Sequence, residues 1–276
     1  MEVEMMILRK HNLVASPWIS RTFVALACAA VLLQVAVLTG LASVAAQPAQ
    51  TTTEQFQSDS GDIFVTPVQQ MSVVIQTPNG IIYTDPTGGG GRYARQEAPD
   101  LILISHEHGE HYDARTLEDL VGPDTKIVVP PYVMARLPES LTGSAISLAN
   151  GETAELGAIR IEAFPSYGLV GQAERWHPRG RGNAYLVTVD GQRLYIGGST
   201  EAVPEMLELR NIDIAFIPLY PPYAMGPEDA VNVISVMQPR SVYIYQYNSV
   251  RTRDDFVRRI GSASTRLRIF TPDIDH

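Results

Sequence analysis

The sequence predicts an α/β fold of two mixed β-sheets with helices on their outer faces. Three observations point there: closely spaced strands early in the chain, alternation of short strands with helices after them, and ordinary globular composition. The chain has 276 residues, 45% of them apolar and 18% charged. That supplies a sizeable core and excludes collagen-like, disordered and disulfide-scaffold classes. Early hairpins followed by alternating units favour two sheets over one doubly wound parallel sheet.

The elements follow in order. Residues 63–68, 71–77 and 80–84 read as strands, and Pro78-Asn79-Gly80 turns the last two into a hairpin. Residues 101–105, LILIS, form a short apolar run of the kind buried on both faces. Asp113 is placed to N-cap a helix over 114–121. A strand over 126–129 and a helix over 132–137 come next. Strands are expected at 152–155, 159–163, 184–189 and 193–196, with glycine turns between them. The remaining pattern is a helix over 201–209, a strand over 212–218 and a helix over 228–237. A strand over 241–245, a helix over 254–260 and a strand over 267–270 close it.

Ahead of this lies a different segment. Residues 22–46 are uncharged and almost wholly apolar, long enough to span a bilayer, and Arg9, Lys10 and Arg21 precede them. A positive N-terminal flank keeps the start inside and sends the rest across the membrane. Small residues end the run, as at a signal-peptidase site. Residues 1–46 are therefore expected to be a signal peptide or a membrane anchor, 47–61 a polar linker and 62–276 the folded domain, periplasmic or otherwise outside the cytoplasm. The one cysteine, Cys28, sits inside the apolar run. The exported part thus has neither disulfides nor thiolate ligands. Residues 47–276 carry 28 acidic and 18 basic side chains, a balance that repels phosphate backbones and argues against nucleic-acid binding.

The chemistry concentrates after the apolar strand, in His106-Glu107-His108-Gly109-Glu110-His111. Three of the six histidines of the chain fall in these six residues. In extended backbone His106 and His108 point the same way. Two imidazoles on one side of a loop, with a carboxylate and a third imidazole behind, suit a transition metal. Outside the loop, His177 is the one remaining candidate between the linker and the last residue.

His106-x-His108-x-Glu110-His111 resembles the H-x-H-x-D-H signature of the metallo-β-lactamase superfamily. Further segments match in order: Tyr83-Thr84-Asp85-Pro86 before the signature, Phe164-Pro165-Ser166-Tyr167 after it, then Trp176-His177-Pro178-Arg179-Gly180-Arg181-Gly182. Gly197-Gly198-Ser199-Thr200, Pro222-Tyr223-Ala224-Met225 and Tyr245-Gln246-Tyr247 complete a pattern similar to the branch related to ascorbate-6-phosphate lactonase. The resemblance implies an αββα sandwich. It implies a first metal, zinc with manganese or iron as alternatives, on His106, His108 and His177. It also implies where a second metal would lie: Glu110 and His111, with Gln246 in place of a histidine and Ser199 in place of the bridging aspartate. Those departures remove the charge that holds two cations close together, so at most one tightly bound ion is expected.

Around this centre, Asp85 is expected either to orient a ligand or to close the turn before Pro86. Arg179 and Arg181 either bind an anionic substrate group or lie solvated at the surface. The glycine run 88–91 lacks the lysine of a phosphate loop, and Ser199 lacks the G-x-S-x-G pattern of a nucleophile elbow. Two functions stay open. One is a hydrolase acting on a small ester, lactone or amide, water being activated at the three-histidine metal with Glu110 or His111 handling the proton. The other is a relative that has lost the chemistry and serves as a binding or scaffold protein at the membrane.

Overall fold

The computed structural model describes residues 52–261 and 267–274, so the apolar run 22–46 lies outside the described residues. Two seven-stranded sheets stack face to face. The first holds β1 (Glu54–Gln57), β2 (Asp62–Pro67), β3 (Val73–Thr77), β4 (Gly80–Thr84), β5 (Leu101–Leu103), β6 (Lys126–Val129) and β7 (Ala145–Ser147), in that spatial order. The second holds β8 (Thr153–Leu156), β9 (Ile159–Ser166), β10 (Gly182–Val189), β11 (Gln192–Ile196), β12 (Ile214–Leu219), β13 (Ser241–Tyr247) and β14 (Arg268–Phe270), again in chain order. In each sheet four strands meander antiparallel, and the rest join in parallel. Crossover segments between parallel strands carry α1 (Ala114–Leu120), the single turns α2 (Pro131–Met134) and α3 (Glu139–Thr142), and α5 (Pro227–Met237) and α6 (Val250–Ile260). A further short helix, α4 (Gly171–Trp176), precedes β10.

Side-chain alternation explains the layers. Leu101 and Leu103 face the second sheet and pack with Tyr185, Val187 and Phe216, whereas Ile102 and Ile104 face outward onto Leu117 of α1 and Val133 of α2. On the far side, Ala230, Val233 and Ile234 of α5 and Phe256 of α6 cover Ile217, Val242 and Ile244. The result is the expected helix–sheet–sheet–helix sandwich. Asp113 caps α1 as expected, its carboxylate accepting from the amides of Arg115 and Thr116 at 3.1 and 3.3 Å.

Some expectations are corrected. Residues 54–57, placed in a linker by their polarity, form β1, which pairs antiparallel with β2. An edge strand needs only main-chain partners and one buried residue, here Phe56. The folded domain therefore starts ahead of residue 62. The helix expected over 201–209 is a 3-10 segment, Pro204–Glu208, opened by its proline. The helix over 254–260 starts earlier, at Val250, where the Ser249 hydroxyl accepts from the Thr252 amide.

Candidate metal centre

The parallel pairing of β4 with β5 brings Asp85 and the Ser105-His106 pair together at the carboxyl ends of both strands. The Asp85 amide donates to the Leu103 carbonyl at 2.9 Å, which fixes this junction. Beyond β5 the chain turns on itself: the His108 carbonyl accepts from the amides of both His111 and Tyr112. This turn returns His111 against His106, with ring centroids 3.9 Å apart. From the second sheet, His177 arrives at the carboxyl end of α4, its amide bonded to the Ala173 carbonyl. Ser199 follows β11 and Gln246 lies in β13.

A β-bulge sets Gln246. Register shifts between Ile217 and Pro218, so the parity of β13 breaks just before this residue. Tyr243 and Tyr245 face the inter-sheet core while Ile244 and Tyr247 face the outer layer. Gln246 falls at the break and lines the central cavity.

Among the described residues, one group of three metal-ligating side chains converges: His106, His108 and His177, with one ligand atom from each within 4.8 Å of the others. The hydrogen bonds assign their tautomers. His177 Nδ1 lies 2.9 Å from the Tyr223 carbonyl oxygen, an acceptor only, so it carries the proton and Nε2 keeps its lone pair. His106 Nδ1 donates to Ser105 Oγ at 2.9 Å, and that hydroxyl donates onward to Asp85 Oδ2 at 2.7 Å. His106 Nε2 is buried and has no hydrogen-bond partner. An orphaned imidazole nitrogen aimed at two other imidazoles fits a cation, as metal-ligating histidines donate their other nitrogen to an acceptor. Burial, and then the neighbouring His111 and His177, hold His106 well below the ordinary imidazole range. Burial lowers His177 to about 3, and also lowers His108, where Glu107 and Glu110 oppose it. All three rings are therefore neutral at pH 7 and offer lone pairs without first losing a proton.

The second-metal residues are arranged differently. His111 is fully buried, with Nδ1 bonded to Asp85 Oδ2 at 2.7 Å and Nε2 lying 3.0 Å from Ser199 Oγ. Gln246 stands 3.4 Å from Ser199 and 3.5 Å from His111. Glu110 is exposed on the cavity wall and is not part of the three-histidine group. Among the described residues, neither Glu110 nor His111 belongs to a group of three or more converging ligand atoms.

A cavity of about 390 Å³ opens beside the histidines, lined among others by His108, Glu110, Trp176, His177, Ser199 and Tyr223. Trp176 and Tyr223 stand half-exposed at its edge, their rings 6.2 Å apart edge to face. Arg179 lies outside this lining; it is exposed and pairs with Glu205 at 2.6 Å. Arg181 instead makes an ion pair with Glu107 and lies over the Tyr132 ring at 4.2 Å. Arg181 lines a small pocket together with His106, His177 and Ser199, whereas Arg179 lines neither that pocket nor the large cavity. The glycine run docks on α1, where Gly89 and Gly90 amides donate to Thr116 and Asp119. The Asp85 carboxylate accepts from the amide and the hydroxyl of Ser105 and faces His111 Nδ1. Sequence reasoning missed Ser105, Glu107 and Trp176. Ser105 carried one usable signal: it directly precedes His106, beside the strand end that bears Asp85.

A family model described as the beta-lactamase superfamily domain matches residues 52–245. The chain belongs to the metallo-β-lactamase superfamily. It is 28% identical over 186 residues to a protein of Lysinibacillus sphaericus named a metal-dependent hydrolase, covering 64% of this chain and 82% of that one. A protein of the same name from Thermococcus onnurineus is 31% identical over 179 residues, covering 61% and 77%. The crystal structure of a protein from Parabacteroides distasonis, assigned as a metal-dependent hydrolase, superposes with a TM-score of 0.71 at 29% identity. It covers 82% of this chain and 100% of that one. A metallo hydrolase of Ignicoccus hospitalis shares the fold, with a TM-score of 0.62 at 19% identity over 76% of this chain and 95% of that one.

Proposed function

We propose that this superfamily member is a metal-dependent hydrolase of small esters, lactones or amides, acting outside the cytoplasm. The observation that carries the reading is the orphaned Nε2 of His106, buried beside two other neutral imidazoles, His108 and His177, which line the open cavity. The names of the relatives agree with it. Three neutral nitrogen ligands favour zinc over the harder, oxygen-seeking cations. When bound, the metal supplies Lewis acidity towards an oxygen of the substrate or of water.

The chain's own residues do the rest. Ser105 and Tyr223 lock the first and third histidines in the ligand tautomer. The ion pair between Arg181 and Glu107 braces the loop between His106 and His108. Trp176, Tyr220 and Tyr223 give the cavity an apolar side suited to an acyl or aryl group, and the volume suits a small molecule. Glu110 adds a carboxylate to the cavity lining, where it can accept a proton from the reacting water.

Export is inferred from residues 22–46, their positive flank and the absence of cysteine from residues 47–276. The domain is either released or tethered to the membrane by that run. A reporter fused after His276 tests this: activity of a cytoplasmic reporter, with an export reporter silent, overturns it.

Plasma mass spectrometry on the purified full-length protein tests the metal. One equivalent per chain is expected. His108→Ala should abolish it, and His111→Ala should leave it in place. A folded wild-type chain that retains no metal would overturn the hydrolase reading and favour a binding protein.

A further inference from the structure

Half of the eight large apolar side chains that stand exposed among the described residues sit at one place. Leu169 is 40% exposed, Val170 68%, Trp176 48% and Tyr223 39%. Single exposed apolar residues are ordinary, but a cluster marks a surface that meets something apolar. Leu169, Val170 and Trp176 belong to one loop, residues 168–177, which closes on itself. The Gly168 amide donates to the His177 carbonyl at 2.8 Å. A Cβ on Gly168 would lie 2.0 Å from the Ala173 carbonyl carbon, so the start of the loop packs directly on α4. At the tip, the amides of Leu169 and Val170 both donate to Glu201 Oε2, at 2.5 and 3.2 Å. Trp176 carries the patch to the edge of the cavity, where its ring meets that of Tyr223. Leu169 and Val170 do not line the cavity, so contact with substrate there does not explain them.

Strand order tells at which end of the sandwich the chain enters. Asp85 follows β4, at the end of the first sheet that bears the histidines. Strand β3 runs antiparallel to β4 with Val73 opposite Thr84, and β2 antiparallel to β3 with Pro67 opposite Val73. Strand β1 runs antiparallel to β2 with Glu54 opposite Val65. The first residue of β1 therefore lies at the same end as Asp85, and just before it Thr53 Oγ1 is 2.8 Å from Thr66 Oγ1. Seven residues, 47–53, separate β1 from the apolar run 22–46. At roughly 3.3–3.6 Å per residue they reach about 25 Å at most. That is shorter than the breadth of the domain, roughly 40 Å from a radius of gyration of about 17 Å. The end bearing the histidines thus stays close to whatever holds residues 22–46.

We propose that Leu169, Val170 and Trp176 dip into a phospholipid surface, the one that holds residues 22–46, and set the mouth of the cavity against the lipid. The inference rests on the tethered alternative of the export reading and is independent of the metal. Three features suit the loop to a bilayer interface. Glu201 satisfies the tip amides, so the aliphatic side chains enter lipid without bringing unpaired donors with them. Behind the tip stand Trp176 and Tyr223, residue types whose amphipathic rings settle at headgroup level. Glu174 and Arg175, exposed between Val170 and Trp176, have opposite charges, so residues 169–176 present no net charge to the headgroups. The attraction comes from the apolar surface withdrawn from water.

The chain has two tryptophans, Trp18 and Trp176, so the emission of full-length Trp18→Phe reports on Trp176 alone. This protein is reconstituted in phosphatidylcholine vesicles whose acyl chains are either plain or brominated close to the headgroup. The vesicles are floated through a density gradient and the emission of the floated chain is compared. Bromine quenches an indole only at contact, so weaker emission from brominated than from plain vesicles is expected. Adding Leu169→Glu and Val170→Glu should restore the emission while the chain still floats on residues 22–46. Circular dichroism of the same samples should be unchanged, both side chains being exposed. Val170→Ser, a milder change, should restore part of it. Equal emission from plain and brominated vesicles overturns the proposal, whether Trp176 then faces water or a second copy of the chain. Quenching that survives the double substitution also overturns it. A chain that does not float overturns it together with the tether, and leaves the metal reading, measured separately by metal content, standing.

Discussion

Replacing Ser105 by alanine isolates the link between the three-histidine group and the buried carboxylate. The change removes one oxygen and leaves no cavity of consequence, so its effect is that of the hydrogen bonds. Asp85 keeps the Ser105 amide on Oδ1 and His111 on Oδ2, each at 2.7 Å. His106 Nδ1 loses its acceptor at 2.9 Å and becomes a buried donor without a partner. An orphaned buried donor costs about 1–3 kcal/mol. In the metal-free protein that corresponds to a fall in melting temperature of roughly 2–12 °C for a domain of this size. With the donor unmet, the His106 ring loses the force that holds Nε2 towards the other histidines. Loss of such a supporting partner lowers metal affinity by roughly 10- to 100-fold, or about 1.4–2.7 kcal/mol. Competition against a chromophoric zinc chelator reads the affinity, and differential scanning fluorimetry of the metal-free protein reads the stability. Wild-type affinity in Ser105→Ala, at unchanged fold, would refute the claim that this hydroxyl orients His106.

Three further outcomes are expected. Restoring Ser199→Asp together with Gln246→His should raise the metal content from one towards two equivalents, because a charged bridge and a third nitrogen then face His111; plasma mass spectrometry checks it. Burial holds His177 at about 3 against roughly 6.5 for an unfolded imidazole, so between those values the unfolded chain binds the extra proton. The His177 contribution to stability is then complete above about pH 6.5 and is lost as pH falls towards 3. Melting curves of the metal-free protein from pH 7 to pH 4 should fall more steeply than those of His177→Gln, and parallel curves would contradict this. Tyr185→Phe should cost about 1–2 kcal/mol by urea unfolding, since its buried hydroxyl donates to the Ile104 carbonyl at 2.7 Å and ties the two sheets together.

Elements whose burial is regular were legible in the sequence. The apolar run opening at Leu101, the Asp113 cap and the helix expected over 228–237 each express a local rule, and the structure has a strand over Leu101–Leu103, a helix capped by Asp113 and a helix over Pro227–Met237. Strand β1 was not legible, because main-chain pairing at an edge demands little of its side chains. Helix α4 was missed because its six residues bury only Ala173. The three-histidine group was readable from residue type and order. The fate of the second site was not: nothing in the spacing of Asp85, His111 and Ser199 reveals that one imidazole bridges the other two. That contact depends on the β4–β5 pairing and on the turn at Gly198, both of which are tertiary.

The division of the three candidate ligands between the two sheets has a consequence for how the protein is made. His106 and His108 leave the ribosome well before His177, which lies about 70 residues further along the chain. At translation rates of roughly 5–20 residues per second the first pair waits on the order of 3–14 s for its third partner. Two histidines on a loop hold a metal weakly, so capture is deferred until the second sheet has docked. The ion is therefore drawn from whatever compartment surrounds the chain when the sandwich closes. Since site preference among first-row metals is overridden by supply, the place of folding, as much as the ligand set, would decide which metal such a site takes.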